Sequence, residues 1–206
     1  MLALIDYGSG NLRSAHKALV MAGCADVQVT ADPDVIAKAD RIVLPGVGAF
    51  ADCIANLNAR DGLRAALEQR VRQAGVPFLG ICVGMQLMAD QGVEFGTTDG
   101  LGWISGQTNA LVPADLGLKV PHMGWNTVTP TGTSAAFNVW GQPQDVYFVH
   151  SFAYRPTYDA HVAAWCTYGQ DRFAAAVCQD NMLGLQFHPE KSQRAGLMLL
   201  ENWLKL

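Results

Sequence analysis

Cys82 lies at the centre of Gly80-Ile81-Cys82-Val83-Gly84, between an apolar run and a stretch of helical character. A thiol in that setting stands on a sharp strand-to-helix turn, because the flanking glycines let the backbone close around it as in the nucleophile elbow of hydrolases. The helix that begins behind it points its N-terminal dipole at the sulfur, which favours the attacking thiolate. The same pentapeptide also fits a buried cysteine that packs in a tight βα turn, and free cysteines are often of that kind.

A nucleophile needs a base, and Gln186-Phe187-His188-Pro189-Glu190 offers one. Along an extended chain alternate side chains share a face, so His188 and Glu190 are expected to point the same way, with Pro189 fixing the backbone between them. His188 would take the thiol proton and return it to the leaving group, while Glu190 holds the imidazole tautomer and stabilises the charged ring. An isolated pair of this kind reads more readily as a structural histidine and a solvated carboxylate; the elbow at Cys82 reverses that preference. An acyl transfer also needs backbone donors for its oxyanion. Pro45-Gly46-Val47-Gly48 can turn an N–H into the site beside that of Val83, although alone it reads as a simple turn.

These residues must be positioned by a scaffold, and the hydrophobic pattern supplies one. Leu2 to Asp6 is a short strand ending in the turn Tyr7-Gly8-Ser9-Gly10, and Asn11 to Ala22 carries Leu12, Ala15, Leu19 and Ala22 at helical spacing. Arg41 to Leu44 is a buried-type strand, Asp61 is expected to cap a helix bearing Leu63, Ala66, Leu67, Val71 and Ala74, and Gly75 ends it. Val76 to Ile81 is a further strand and Gly84 to Asp90 a further helix. Strands alternating with helices imply parallel strands with crossover helices. Thereafter Val146 to Val149, His161 to Cys166, Arg172 to Cys178 and Met182 to His188 are short strand-like runs that suit an antiparallel or mixed extension. Ser192 is expected to cap a closing helix with Leu197, Leu200 and Leu204 on its apolar side. Thr97 to Gly100 and Thr129 to Ser134 read as loops within one domain spanning 1–206.

Composition narrows the function classes. Of 206 residues half are hydrophobic and 16% charged, and 14 Lys plus Arg stand against 18 Asp plus Glu, so no basic footprint suggests nucleic-acid binding. The opening residues lack a basic n-region and no apolar stretch approaches the roughly 18 residues of a membrane span, so a cytoplasmic protein is expected. Cys24, Cys53, Cys82, Cys166 and Cys178 are odd in number and form no CxxC pair, which argues against a disulfide framework or a zinc site. Gly8-Ser9-Gly10-Asn11 fails as a dinucleotide loop, since Arg13 stands where GxGxxG needs its third glycine.

Taken together, the contexts of Cys82, His188 and Glu190 resemble the class I, triad-type glutamine amidotransferases. Six blocks carry the resemblance from end to end: Asp6 to Leu12, Pro45 to Phe50, Gly80 to Gln86, Pro121-His122-Met123-Gly124-Trp125-Asn126, Tyr147 to Ser151, and Gly184 to Gln193. The resemblance implies a three-layer, Rossmann-like or flavodoxin-like α/β fold whose central sheet is mostly parallel with a mixed or antiparallel extension. It implies hydrolysis of glutamine through a γ-glutamyl thioester on Cys82, with no cofactor and no metal. By position, Val47, Gly48 and Val83 match the oxyanion hole, and Gln86 and Ser151 match residues that hold glutamine. The first and fourth blocks look like the branch of the family that forms a heterodimer with a (β/α)₈-barrel cyclase subunit in histidine biosynthesis, where Asn11, Trp125, Tyr147 and Lys191 face the partner. A glutaminase serving an anthranilate or aminodeoxychorismate synthase, or a non-catalytic module of the same fold, are the alternatives. Glycines flanking Val47 suggest that its loop reorients a backbone amide, so that activity depends on the partner and its nucleotide. The segments 104–118 and 131–145 carry no recognisable signature, and Val83 stands where Leu is commoner.

Overall fold

The computed structural model describes residues 1–114 and 117–206. Its first half alternates strand and helix: β1 (Leu2–Ile5), α1 (Leu12–Met21), β2 (Val27–Thr30), α2 (Pro33–Ile36), β3 (Arg41–Gly46), α3 (Phe50–Ala59), α4 (Leu63–Leu67), β4 (Phe78–Cys82) and α5 (Val83–Gln86). Then come β5 (Gln91–Val93), β6 (Thr97–Asp99), β7 (Gly106–Ala110), β8 (His122–Pro130), β9 (Gln144–His150), β10 (Phe152–Pro156), β11 (Val162–Tyr168), β12 (Asp171–Gln179), β13 (Met182–Leu185) and α6 (Gln193–Trp203).

The main sheet runs β2-β1-β3-β4-β13-β12-β11-β8-β9. Pairing is parallel from β2 through β13 and antiparallel from β13 to β9. Sequence explains the division. In β1, β4 and β13 every residue is buried, as expected of parallel strands covered on both faces, whereas β8 and β9 alternate inward and outward residues. Helices α1 and α6 pack together as one outer layer, and α2 and α3 each pack on α4 in the other, so the core lies in two sheets of contacts around the strands. Each Leu, Ile or Phe fully buried there contributes about 1.5–3 kcal/mol. A second, four-stranded sheet, β10-β7-β5-β6, stands beside the first.

Several expectations are corrected. Gly62, in the left-handed region at φ +69°, and not Asp61, precedes the first residue of α4, which continues as a π-helical stretch, Glu68–Gln73. Ser192 occupies the N-cap position of α6 without capping it; the fully buried residues of α6 are Gly196, Leu199, Leu200 and Trp203, with Leu197 and Leu204 half-buried against the same core. The helix after Cys82 is one turn, not seven residues. It stops because the carbonyls of Leu87, Met88 and Ala89 accept from the N–H groups of Leu101, Trp103 and Gly102, at 2.8, 2.9 and 3.0 Å. Thr97 to Gly100 is not a loop, since Thr97–Asp99 is β6; and 104–118 and 131–145 contain β7 and a 3₁₀ turn, Ala135–Val139, with Asp115 and Leu116 outside the described residues.

Candidate active site

Strands β3 and β4 end side by side, with Gly46 paired to Cys82, so the Pro45–Gly48 turn and the nucleophile leave the sheet at one edge. Cys82 has φ +55°, a conformation costly for a residue with a side chain, and is held there by a close approach of the following turn to β3. Gly84 makes that approach possible: a Cβ at this position would collide with the Leu44 carbonyl oxygen. Because α5 is a single turn, its dipole is slight, and activation of the sulfur falls to the neighbouring base.

That base arrives from β13, which pairs in parallel with β4 and delivers His188 a few residues beyond its end. His188 Nδ1 and Glu190 Oε1 are 2.8 Å apart, both side chains almost fully buried. The backbone between them is not extended, as alternation requires; Pro189–Lys191 is a 3₁₀ turn, and its curvature brings the carboxylate back under the ring. Burial alone would depress the His188 pKa, but the Cys82 sulfur and the Glu190 carboxylate outweigh it and hold the ring charged up to about 9. His188 Nε2 has no hydrogen-bond partner among the described residues, leaving the ring free on the side of the sulfur.

A cavity of about 320 Å³ opens over this pair. It is lined by Cys82, His188, Val47, Gly48, Val83, Gln86, Ser151 and Lys191, so these eight anticipated residues converge from β3, β4, α5, β9 and the β13–α6 turn. Its size suits a molecule as small as an amino acid. Gly48 has φ +105°, and the Val47 carbonyl accepts from the Cys53 thiol at 3.5 Å, which turns the Gly48 N–H of the same trans peptide away from Cys53. Gln86 is buried, with its amide nitrogen donating to the Phe152 carbonyl and to Gln186 Oε1, each at 3.0 Å.

The residues expected at a partner surface divide into two places. Trp125 and Tyr147 are opposite each other on β8 and β9 with their rings edge to face at 6.2 Å, and Lys191 Nζ lies 5.7 Å from the Tyr147 ring centre. Trp125 is 50% and Met123 62% exposed, and Met123 pairs across the strands with Val149, which lines the cavity. Asn11 instead sits behind His188, in a narrow cleft with Glu190 and Pro45, and its side chain accepts from the Ser14 N–H at the start of α1.

Four further residues near the cavity have no motif of their own that states a role. Glu94, at the end of β5, lines the cavity and accepts from the Phe50 N–H at 2.8 Å. Gln186 approaches the Cys82 sulfur with its amide nitrogen at 3.8 Å. His150 lines the cavity and pairs with the buried His122 at 3.0 Å. Gln186, His122 and His150 stand within quoted blocks, so the signal available was their place in those blocks; Glu94 carries none. All five cysteines are unpaired thiols, no helix among the described residues is long and apolar enough to cross a membrane, and no group of three or more His, Cys, Asp or Glu among them could hold a metal ion.

Comparison with known proteins places the chain in a family. The family "Glutamine amidotransferase class-I" matches residues 3–205. The chain is 53% identical to imidazole glycerol phosphate synthase subunit HisH of Caulobacter vibrioides, covering 99% of this chain and 97% of the relative. It is 50% identical to the protein of the same description from Rhodospirillum rubrum, over 99% and 98%. Among solved structures, a glutamine amidotransferase superposes with a TM-score of 0.75 at 18% identity, covering 98% of this chain and 97% of that one. PurLQS from Thermotoga maritima gives 0.70 at 19%, over 99% and 97%. At those identities the two structures speak for the shared fold alone.

Proposed function

The chain belongs to the class I glutamine amidotransferase family, and from that premise we propose how its residues divide the work of hydrolysing glutamine. Its function is that of the glutaminase subunit of imidazole glycerol phosphate synthase. Glutamine becomes glutamate and ammonia, and the ammonia passes to the cyclase subunit for synthesis of imidazole glycerol phosphate and aminoimidazole carboxamide ribotide in histidine biosynthesis.

The observation that carries the residue-level reading is the 2.8 Å pair of His188 and Glu190 beside Cys82 at the floor of one cavity. With His188 charged, the sulfur attacks the carboxamide carbon as thiolate, and the C=O π electrons move onto oxygen. The N–H groups of Val83 and Gly48 receive that oxyanion. Collapse breaks the C–N bond, and His188 gives its proton to the departing nitrogen, releasing ammonia. Water, deprotonated by the now neutral His188, then attacks the thioester and expels the sulfur with glutamate. Glu190 holds the ring in place through both steps. Gln86 and Ser151 line the cavity where the substrate lies, and the Glu94 carboxylate is the group there with the charge to meet its ammonium.

The exposed face bearing Trp125, Tyr147 and Lys191, with Asn11 behind the triad, is the docking surface for a (β/α)₈-barrel cyclase in a cytoplasmic heterodimer. Lys191, which lies against Tyr147 on this face and also lines the cavity, supports this, since a partner seated there would stand next to the site where ammonia is released. Cys82→Ala tests the whole reading in the reconstituted complex. Glutamine-dependent cyclisation should vanish while cyclisation fed with ammonium salt persists; loss of both would count against a separable glutaminase.

A further inference from the structure

Two buried histidines beside the cavity take no part in the chemistry above. His122 on β8 and His150 on β9 are direct cross-strand partners, with His122 Nδ1 and His150 Nε2 3.0 Å apart. His122 is sandwiched between the rings of Phe148 and Tyr168, and His150 packs edge-on to Phe173 at 4.9 Å. Apolar rings would fill this space without the cost of burying polar nitrogens, so the hydrogen bonds they make need a reason.

Those bonds have a single consistent direction. His150 Nδ1 is 2.8 Å from the Phe152 carbonyl, and a carbonyl only accepts, so the His150 proton is on Nδ1 and its Nε2 is an acceptor. His122 must therefore donate from Nδ1, which leaves its Nε2 to accept from the Asn126 amide at 3.2 Å. Asn126 cannot turn its amide over, because the same nitrogen donates to the Thr167 carbonyl at 3.0 Å and its oxygen accepts from the Thr127 N–H at 2.8 Å. Both rings are uncharged and locked in one tautomer.

At the other end, the His150 N–H closes a tight turn over Ser151, and the Phe152 carbonyl it holds also accepts from Gln86. The second hydrogen of the Gln86 amide goes to Gln186 Oε1, so Gln186 presents its own N–H groups toward the Cys82 sulfur. With both hydrogens used, Gln86 has only its oxygen to offer the cavity. If this polarity were reversed, an amide oxygen would face the thiolate.

We propose that His122 and His150 are positioning residues of the glutamine site, an uncharged, tautomer-locked pair that pins the Ser151 turn and holds in place the Phe152 carbonyl on which the Gln86 amide, and through it Gln186, is aligned. This rests on the glutaminase reading. The other groups that act electrostatically on His150 are His188 and Arg155, both basic, and with burial they lower its pKa, as burial does that of His122. The Phe152 carbonyl alone pulls the other way, and burial with the three basic neighbours of His150 outweighs it.

The test uses the complex with its cyclase and two substitutions of one residue. His150→Phe keeps the ring and loses the donor; His150→Asn keeps an N–H at the Nδ1 position. His150→Phe should raise KM for glutamine about tenfold, the worth of one well-placed hydrogen bond, with kcat little changed and ammonia-dependent turnover intact. His150→Asn should recover most of that loss. An unchanged KM in His150→Phe, or equal damage in both variants, overturns the proposal, as does loss of ammonia-dependent turnover in both. Nitrogen-15 spectra of the unsubstituted protein at neutral pH give an independent reading: Nδ1–H on both rings is expected, and Nε2–H on His150 would overturn it. Cys82→Ala run alongside separates the two levels. If that variant still hydrolyses glutamine the glutaminase reading has failed; if it is inactive while His150→Phe is normal, only the relay has.

Discussion

The N–H of His188 donates to the carbonyl of Tyr147 at 3.0 Å, and the Ser192 hydroxyl closes a ring between the same residues. It accepts from the Tyr147 N–H at 3.0 Å and donates to the His188 carbonyl at 2.6 Å. The base of the proposed triad is therefore held by the strand that carries an aromatic residue of the proposed docking face. Movement of β9 at Tyr147 is movement of the His188 backbone.

Ser192→Ala follows directly. It leaves the half-buried Tyr147 N–H without its acceptor, a loss of about 1 kcal/mol in unfolding free energy. The stability loss is read by urea denaturation of the free chain. Glutamine turnover in the complex should fall with kcat, since the ring of His188 is displaced, while ammonia-dependent cyclisation stays near normal. Equal turnover in variant and parent would show that the ring of bonds does not position the base.

The charge on His188 sets a pH limit. In the proposed mechanism the ring, held charged up to about 9, gives ammonia its proton on departure, so kcat for glutamine should fall as pH rises through that value. Glu190→Gln removes a negative neighbour that raises the pKa, so the alkaline limb must move to lower pH. A drop in kcat of about a hundredfold or more accompanies it. A limb that stays in place in Glu190→Gln would mean another group controls it.

How much of this was legible in sequence depends on distance along the chain. Cys82, and the pair His188 and Glu190, each sit in a local motif whose neighbours state their chemistry, and β3 and β4 announce themselves as unbroken apolar runs. Ser192 looks like an N-cap because that is the commonest use of a serine before a helix, whereas its hydroxyl serves Tyr147, 45 residues away. Glu94 and the His122–His150 pair are brought to the cavity only by the pairing of β5 with β7 and of β8 with β9. Strands as short as the three residues of β5 and β6 leave no periodicity to read.

Histidines of opposite habit also shape stability. His122 and His150 are lowered to about 4 and about 3 by burial, against about 6.5 in an unfolded chain. Their contribution is present above the unfolded value and is lost as pH falls from there toward 3. His188, raised to about 9, acts in reverse: its contribution is complete below the unfolded value and is lost as pH rises toward 9. Unfolding free energy should therefore peak near pH 6–7, between these limits. His122→Phe should flatten the acid slope and Glu190→Gln the alkaline one. Urea midpoints that do not vary between pH 4.5 and 9 would contradict these shifts.

Docking gives the last prediction. Trp125 leans on Tyr147, which in turn lies under the Lys191 ammonium, so one large exposed side chain has a ring to rest on before any partner arrives. Rigid aromatic anchors lose little entropy on binding and dominate interface energies, so Trp125→Ala should weaken association with the cyclase by about 2 kcal/mol or more. Thr127→Ala, on the same face of β8 two residues further on, is the control, and should change affinity little. Calorimetric titration of the two subunits reads both. Since the cavity residues are untouched, turnover of Trp125→Ala should return to normal at saturating partner. If it does not, Trp125 does more than dock: its contact with Tyr147, and through Tyr147 with His188, would then carry the partner's signal into the site.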